Sequence, residues 1–167
     1  MSLKLYRTIL VVLVVASLAF ISYNSLQNAE SSAKMSNGLS EVVAEVVVPN
    51  FSEMETEEKE IVIERISIPV REMAHAIEFA MLAFFTALLA FTFPLSYGRY
   101  LLQLVIVFLF CFTFAMVDEC VQSFVSGRDC QWHDVWVDTL GSICGMVIAL
   151  IIDRLTTYYR RGKRVGV

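Results

Sequence analysis

Asp118-Glu119, Gln122, Gly127-Arg128, Asp134 and Asp138 crowd the stretch between two apolar runs, and a second polar set, Arg71, His75 and Glu78, precedes them. Carboxylates and an imidazole could serve as general acids and bases or as ligands to a metal ion. The guanidinium groups could grip a carboxylate or phosphate. Arg71, His75 and Glu78 are spaced by four and then three residues, which sets them on one face of a helix. Asp118 and Gln122 share a face, with Glu119 turned about 100° away. Asp134 and Asp138 stack in the same way. Asp134 suits a helix N-cap; Asp138, one turn deeper, needs a partner. The turn Ser126-Gly127-Arg128-Asp129 makes Arg128 the expected one.

Arg71 and Arg128 face five carboxylates, Glu78, Asp118, Glu119, Asp134 and Asp138. Such a surplus cannot stay ionised and buried without a bound cation, proton uptake or water. A plainer reading has Arg71 reaching toward lipid headgroups while His75 and Glu78 satisfy each other, since membrane helices use polar side chains as interhelical glue. A metal site is the sharper version, but no local signature such as His-Glu-x-x-His supports it. Ser123, Ser126, Cys120 and Cys130 lie near without an identifiable activating base, so nucleophilic catalysis has less support. The residues name no cofactor.

These side chains must be positioned by membrane helices. The chain has 167 residues, 57% of them hydrophobic, with a mean hydropathy of +0.64. Leu5–Tyr23, Met73–Phe93, Tyr100–Val117 and Val135–Ile152 each reach the roughly 17–25 residues that span a bilayer. Alternating strands of a membrane barrel would not read as continuous apolar runs. The expectation is an all-α, polytopic four-helix bundle forming one membrane domain over residues 1–167. In the fourth span Gly141, Gly145 and Ala149 form a stripe of small residues for close helix packing. Trp132 and Trp136 read as interface anchors. The polar cluster then lies where lipid meets water, and such groups face a bundle interior or an aqueous cavity. The middles of the spans are almost bare of polar groups.

Charge sets the expected orientation. Lys4 and Arg7 precede the first span, Arg99 sits between the second and third, and Arg154, Arg160, Arg161, Lys163 and Arg164 follow the fourth. Positive flanks stay cytoplasmic, so both termini are expected inside and residues 25–72 outside. That outer segment holds ten Glu against Lys34, Lys59, Arg65 and Arg71, within a net charge of -4. Lys4, Arg7 and Ile9–Ile21 also have the layout of a signal peptide, but the length of the apolar stretch favours an uncleaved anchor. Cys111 and Cys144 read as packing residues within spans. Cys120 and Cys130 flank the outer loop, where a disulfide is permitted but not required. The basic tail from Tyr158 reads as an orientation signal in contact with anionic lipid. Nothing points to nucleic acid, and the bilayer is the expected partner.

Within the outer segment, Gln27–Ser32 reads as a flexible exit. Leu39, Val42, Val43, Val46 and Val47 then recur at helical spacing with Glu41 and Glu45 opposite. That suggests a short amphipathic helix, packed on the bundle or lying at the interface, ended by Pro49-Asn50. Glu53–Glu60 reads as a solvated acidic run. Ile61–Val70 fits neither helical nor strand period, and Pro69 suits the first turn of the second spanning helix.

Two blocks carry a family resemblance. Arg71-Glu72-Met73-Ala74-His75-Ala76-Ile77-Glu78-Phe79 resembles the Arg-Lys-x-x-His-x-x-Glu-Tyr block of the VanZ-like family. Asp118-Glu119-x-x-Gln122-x-x-x-x-Gly127-Arg128, followed by Asp134-x-x-x-Asp138-Thr139-x-Gly141-x-x-x-Gly145, resembles its second block. Together they cover Arg71–Ala149 in the family's order and span positions. Glu72 stands where lysine is common, Phe79 where tyrosine is common, and Ser126 where proline often precedes the glycine. The family takes its name from a membrane protein associated with teicoplanin resistance. The resemblance thus implies a cell-envelope accessory protein acting on, or shielding, an amphiphilic or lipid-linked ligand. Two other classes stay open: an intramembrane metal- or acid/base-dependent enzyme on a lipid headgroup, and a small cation- or proton-coupled transporter. Bare mid-span segments count against the transporter.

Overall fold

The computed structural model describes residues 2–93, 100–126 and 131–165, and among these every regular element is helical. Five α-helices follow one another: α1 Leu3–Ser25, α2 Ala29–Val47, α3 Thr56–Phe91, α4 Tyr100–Gln122 and α5 Trp132–Val165, with a short 3-10 turn at Phe51–Glu53. Four of them, α1, α3, α4 and α5, are long and apolar enough to cross a membrane. Outward-facing Val12, Val15, Leu101, Ile106, Leu109 and Ile148 are exposed, as expected of a bundle whose outer solvent is hydrocarbon rather than water.

Local signals set the helix starts. Ser2 caps α1, its side chain accepting from the Leu5 N–H at 3.3 Å. Asn28 caps α2 by accepting from the Ser31 N–H at 2.8 Å. Helix α2 therefore begins within the segment expected to be a flexible exit, because a capped start offsets weak intrinsic propensity. After α2, Asn50 adopts the left-handed conformation (φ 58°). The chain then turns back through Phe51, which is buried, and Lys59 donates to the Ser52 carbonyl at 2.9 Å.

Helix α3 corrects two expectations. Its 36 residues run from Thr56, so Ile61–Val70 is helical and Pro69 lies inside the helix rather than in its first turn. Proline there removes the N–H that would bond the Arg65 carbonyl, a loss that neighbouring packing can absorb. At 1.5 Å per residue α3 is about 54 Å long, well beyond the roughly 30 Å of a hydrocarbon core. Its N-terminal half therefore extends past the bundle, where α2 packs antiparallel along it. The face α2 turns to α3 carries Ser36, Ser40 and Ala44, with Ser40 and Ala44 fully buried. Val42 and Val46 face outward, Val46 being 83% exposed. Most of the apolar stripe of α2 thus turns away from α3, while Val43 is half-buried and Leu39 borders a cavity beside α3. Small residues allow the closer approach, and the Ser40 hydroxyl is satisfied by the Ser36 carbonyl of its own helix at 2.7 Å.

The most extensive contact in the bundle joins α3 and α5. A Cβ at Gly141 would overlap the Ala76 carbonyl, and one at Gly145 the Ala80 carbonyl, while Ala149 is fully buried. The core around this seam comprises Ile21, Phe79, Leu82, Ala83, Ala87, Val107, Cys111, Ala115, Val135 and Ala149. Cys111 is therefore a packing residue, whereas Cys144 is exposed and is not. Helix α5 continues to Val165, so the basic tail is helical for most of its length.

Candidate functional site

One end of the bundle gathers the polar residues. Helix α4 runs five residues past the apolar run and carries Asp118, Glu119 and Gln122 inside it. All three are buried, with Asp118 at 3% and Glu119 at 5% exposure, and Asp138 of α5 is at 4%. Ser25 of α1 lies 2.6 and 2.7 Å from the two oxygens of Asp118, and Gln122 donates to Asp118 Oδ2 at 2.9 Å. The single Ser25 hydroxyl proton is shared between Asp118 and the Ile21 carbonyl, 2.9 Å away. Glu119 accepts from the backbone N–H of Gln131 just before α5, which ties the end of α4 to the start of α5.

Glu78 of α3 reaches the same region. Its Oε1 accepts from Asn24 Nδ2 at 2.8 Å, and Asp118 lies within electrostatic range. Asp138 in turn lies within range of Asp118, Asp134, Glu119 and Glu78. Buried Asn24 Oδ1, Glu78 Oε2 and Asp138 Oδ1 have no hydrogen-bond donor among the described residues. Orphaned buried oxygens are costly, which makes them pointers to a bound molecule or water.

Two cavities adjoin these groups. One of about 100 Å³ lies between α1, α2 and α3, lined by Asn24, Met35, Leu39, Arg71, His75 and Glu78 among others. A gap of about 10 Å³, room for one water, lies between α3 and α5, lined by Arg71, Glu72, His75, Asp134, Val137 and Asp138. Arg71, His75 and Glu78 thus share one cavity, and the first two also face the aspartates of α5. Asp134 sits in the first turn of α5, which starts at Trp132, so it lies inside the helix rather than at its N-cap. A carboxylate there interacts favourably with the helix dipole. Gly127, Arg128 and Cys130 lie outside the described residues, and with them the expected Arg128 contact to Asp138 and the Cys120–Cys130 pairing. Among the described residues no group of three or more His, Cys, Asp or Glu side chains is arranged to hold a metal ion.

The motif departures have local explanations. Phe79 is fully buried and packs against Phe114, ring centroids 6.0 Å apart, so its position is apolar and needs no hydroxyl. Glu72 stands 3.4 Å from His133 Nε2 on the surface of the α3–α5 gap.

Asn24 and Ser25 are the residues that sequence reasoning missed. They end an apolar run, so they read as the first residues of a loop, but α1 continues through Ser25. One signal was available: Ser17, Ile21 and Ser25 recur every four residues and share the buried stripe of α1. The α2 wall of the larger cavity was also not foreseen.

No curated protein and no solved structure matches the chain. A family model described as VanZ/LLP1 matches residues 9–153, which include all four long apolar helices in whole or in large part. The chain belongs to the VanZ/LLP1 family of membrane proteins.

Proposed function

We propose that this protein is a single-domain, cell-envelope accessory protein whose polar end faces outward and acts on, or shields, an amphiphilic or lipid-linked ligand. In this reading it contributes to glycopeptide tolerance, as the family resemblance suggests. The orientation rests on Lys4, Arg7, Arg154, Arg160, Arg161, Lys163 and Arg164, which flank the opposite end of the bundle and favour the cytoplasm. Labelling from the cell exterior should modify a cysteine placed at Ser52 and spare one at Gly162; the reverse pattern overturns the orientation.

The observation that carries the reading is the set of buried oxygens on Asn24, Glu78 and Asp138, which lack donors among the described residues and lie where three or more helices meet. A purely structural polar cluster would close its hydrogen bonds, as Asp118 does with Ser25 and Gln122. The adjoining cavity has both polar and apolar walls, which suits a headgroup with its attached chain.

The test is complementation of a deletion strain that has lost teicoplanin tolerance. Glu119→Ala and Asp138→Asn should each fail to restore tolerance while membrane levels of the protein stay near wild type. Neutralising Glu57, Glu58 and Glu60 together should restore it fully. If Glu119→Ala and Asp138→Asn both complement, the polar end is structural and the reading fails.

A further inference from the structure

We propose that the cavity between α1, α2 and α3 binds the headgroup of a zwitterionic amphiphile that bears a primary ammonium, as an aminophospholipid does. The proposal rests on the reading above that the polar end is a ligand site, and it names the ligand's chemistry.

The cavity is lined by groups of opposite chemistry. Beside it, on the lining residues Glu78 and Asn24, Glu78 Oε2 and Asn24 Oδ1 are buried acceptors with no donor among the described residues. The Asn24 amide donates to Glu78 Oε1 and ties the two groups together, leaving the other oxygen of each as an acceptor still to be satisfied. Asp118 lies near enough to add negative potential there. An ammonium supplies three donors on one small cation and satisfies such a pair, and charge-assisted bonds of this kind are the stronger ones. Arg71 lines the same cavity two helical turns away on α3, a rise of about 10 Å between backbones. Its guanidinium suits a phosphate, so a carboxylate and a guanidinium line one cavity, as a zwitterionic headgroup requires.

The remaining walls fit the rest of an amphiphile. Met35, Leu39, Val70 and Ala74 give an apolar flank, and Gln27, Ser32 and Ser36 a polar rim. A volume of about 100 Å³ admits an ethanolamine-sized group but not the headgroup of a large saccharide. It would also admit several water molecules. A water-filled pocket shows no preference among headgroups, and this separates it from the proposal. A metal ion is the less fitting cation, because no three-ligand set exists among the described residues.

The full-length protein, purified in detergent, is titrated with dioleoyl phosphatidylethanolamine, phosphatidylcholine and phosphatidylglycerol, and bound lipid is read by native mass spectrometry and thermal shift. Phosphatidylethanolamine should bind about tenfold or more tightly than either other lipid, since loss of charged hydrogen bonds costs roughly 1.5–3 kcal/mol. Trimethylation removes the donors in the choline lipid, and the glycerol lipid lacks the cation. Free phosphoethanolamine should compete only weakly if the apolar flank holds the chains; full competition at equal concentration would overturn the amphiphile part. Glu78→Gln should abolish the preference, and Arg71→Ala should weaken binding of all three lipids. The lipid series on unaltered protein decides the matter even if a variant misfolds. Equal binding of the three lipids overturns the ammonium assignment, and if Glu119→Ala still abolishes tolerance, the broader site reading survives that failure.

Discussion

The two ends of the bundle handle polar groups in opposite ways. At the basic end, Arg7 donates to Thr92 Oγ1 at 3.0 Å and to the Thr92 carbonyl at 2.7 Å, closing the C-terminus of α3, and stacks 4.2 Å over the Phe93 ring. Gln103 donates to the Ala90 and Phe93 carbonyls at 2.7 and 3.2 Å, and Arg154 stacks 4.4 Å over Tyr100. These side chains cap a helix end whose carbonyls would otherwise be orphaned. Asp153 Oδ2 is the exception, a buried oxygen with no donor among the described residues. At the polar end the bias reverses. Carboxylates from three helices converge, and Asn24, Glu78 and Asp138 each keep a buried oxygen without a donor among the described residues. One end uses polarity to finish the fold; the other holds unfinished polarity together by means of the fold. Asp118, bonded to both Ser25 and Gln122, is the hinge between the two behaviours.

The comparison can be broken by attacking what holds the polar end together. Gly145→Leu would drive a side chain into the Ala80 backbone. It should destabilise the purified protein by about 3 kcal/mol or more, since the obstacle is a helix backbone that cannot repack. A thermal scan in detergent reads the loss, and an unchanged midpoint would mean that α3 and α5 do not meet at this seam. Next in size, Asp118→Ala takes the acceptor from Gln122, while Ser25 keeps the Ile21 carbonyl, and should cost about 1–3 kcal/mol by the same scan.

Substitution of the unfinished groups sharpens the contrast. Glu78→Gln and Asp138→Asn replace buried carboxyl groups whose hydrogen bonds are incomplete, so each should leave stability within about 1 kcal/mol of wild type while removing tolerance in the complementation assay. If either destabilises as much as Asp118→Ala, the two kinds of carboxylate are not different. At the basic end, Arg7→Lys keeps the charge but loses the two-point contact with Thr92, and should cost about 1 kcal/mol with tolerance intact. Smallest of all, Glu57→Gln with Glu58→Gln touches exposed groups in the first turn of α3. The pair should shift stability by no more than about 1 kcal/mol, the loss of a favourable dipole interaction.

What could be read directly was whatever a run of residues decides locally. Four apolar stretches of spanning length announced four helices, because only a helix satisfies its own backbone in hydrocarbon. The Gly141, Gly145 and Ala149 stripe announced close packing, though not that its partners would be the Ala76 and Ala80 backbones. Spacings of three and four put Arg71, His75 and Glu78 on one face and joined Asp118 to Gln122, since helical neighbours are fixed by geometry. Local patterning failed where an apolar run ended in polar residues. Asn24 and Ser25 read as loop, until packing brought them against Glu78 and Asp118. For helix α2 the pattern left two placements open, packed on the bundle or at the interface, and did not foretell that the small face Ser36, Ser40 and Ala44 would be the one that meets α3.

By itself, then, the chain's sequence determined the number of membrane helices, their small-residue seam, the family and the residue types at the polar end. Only the tertiary structure decided that α1 supplies Asn24 and Ser25 to that end, that α2 walls a cavity over Glu78, and which carboxylates find donors. The reason is physical: helix formation and periodicity depend on neighbours within a turn or two, whereas satisfaction of a buried oxygen depends on a donor brought from a different helix. Asn24 and Glu78 are separated by 54 positions and Ser25 and Asp118 by 93, and no periodicity within a single helix encodes those distances.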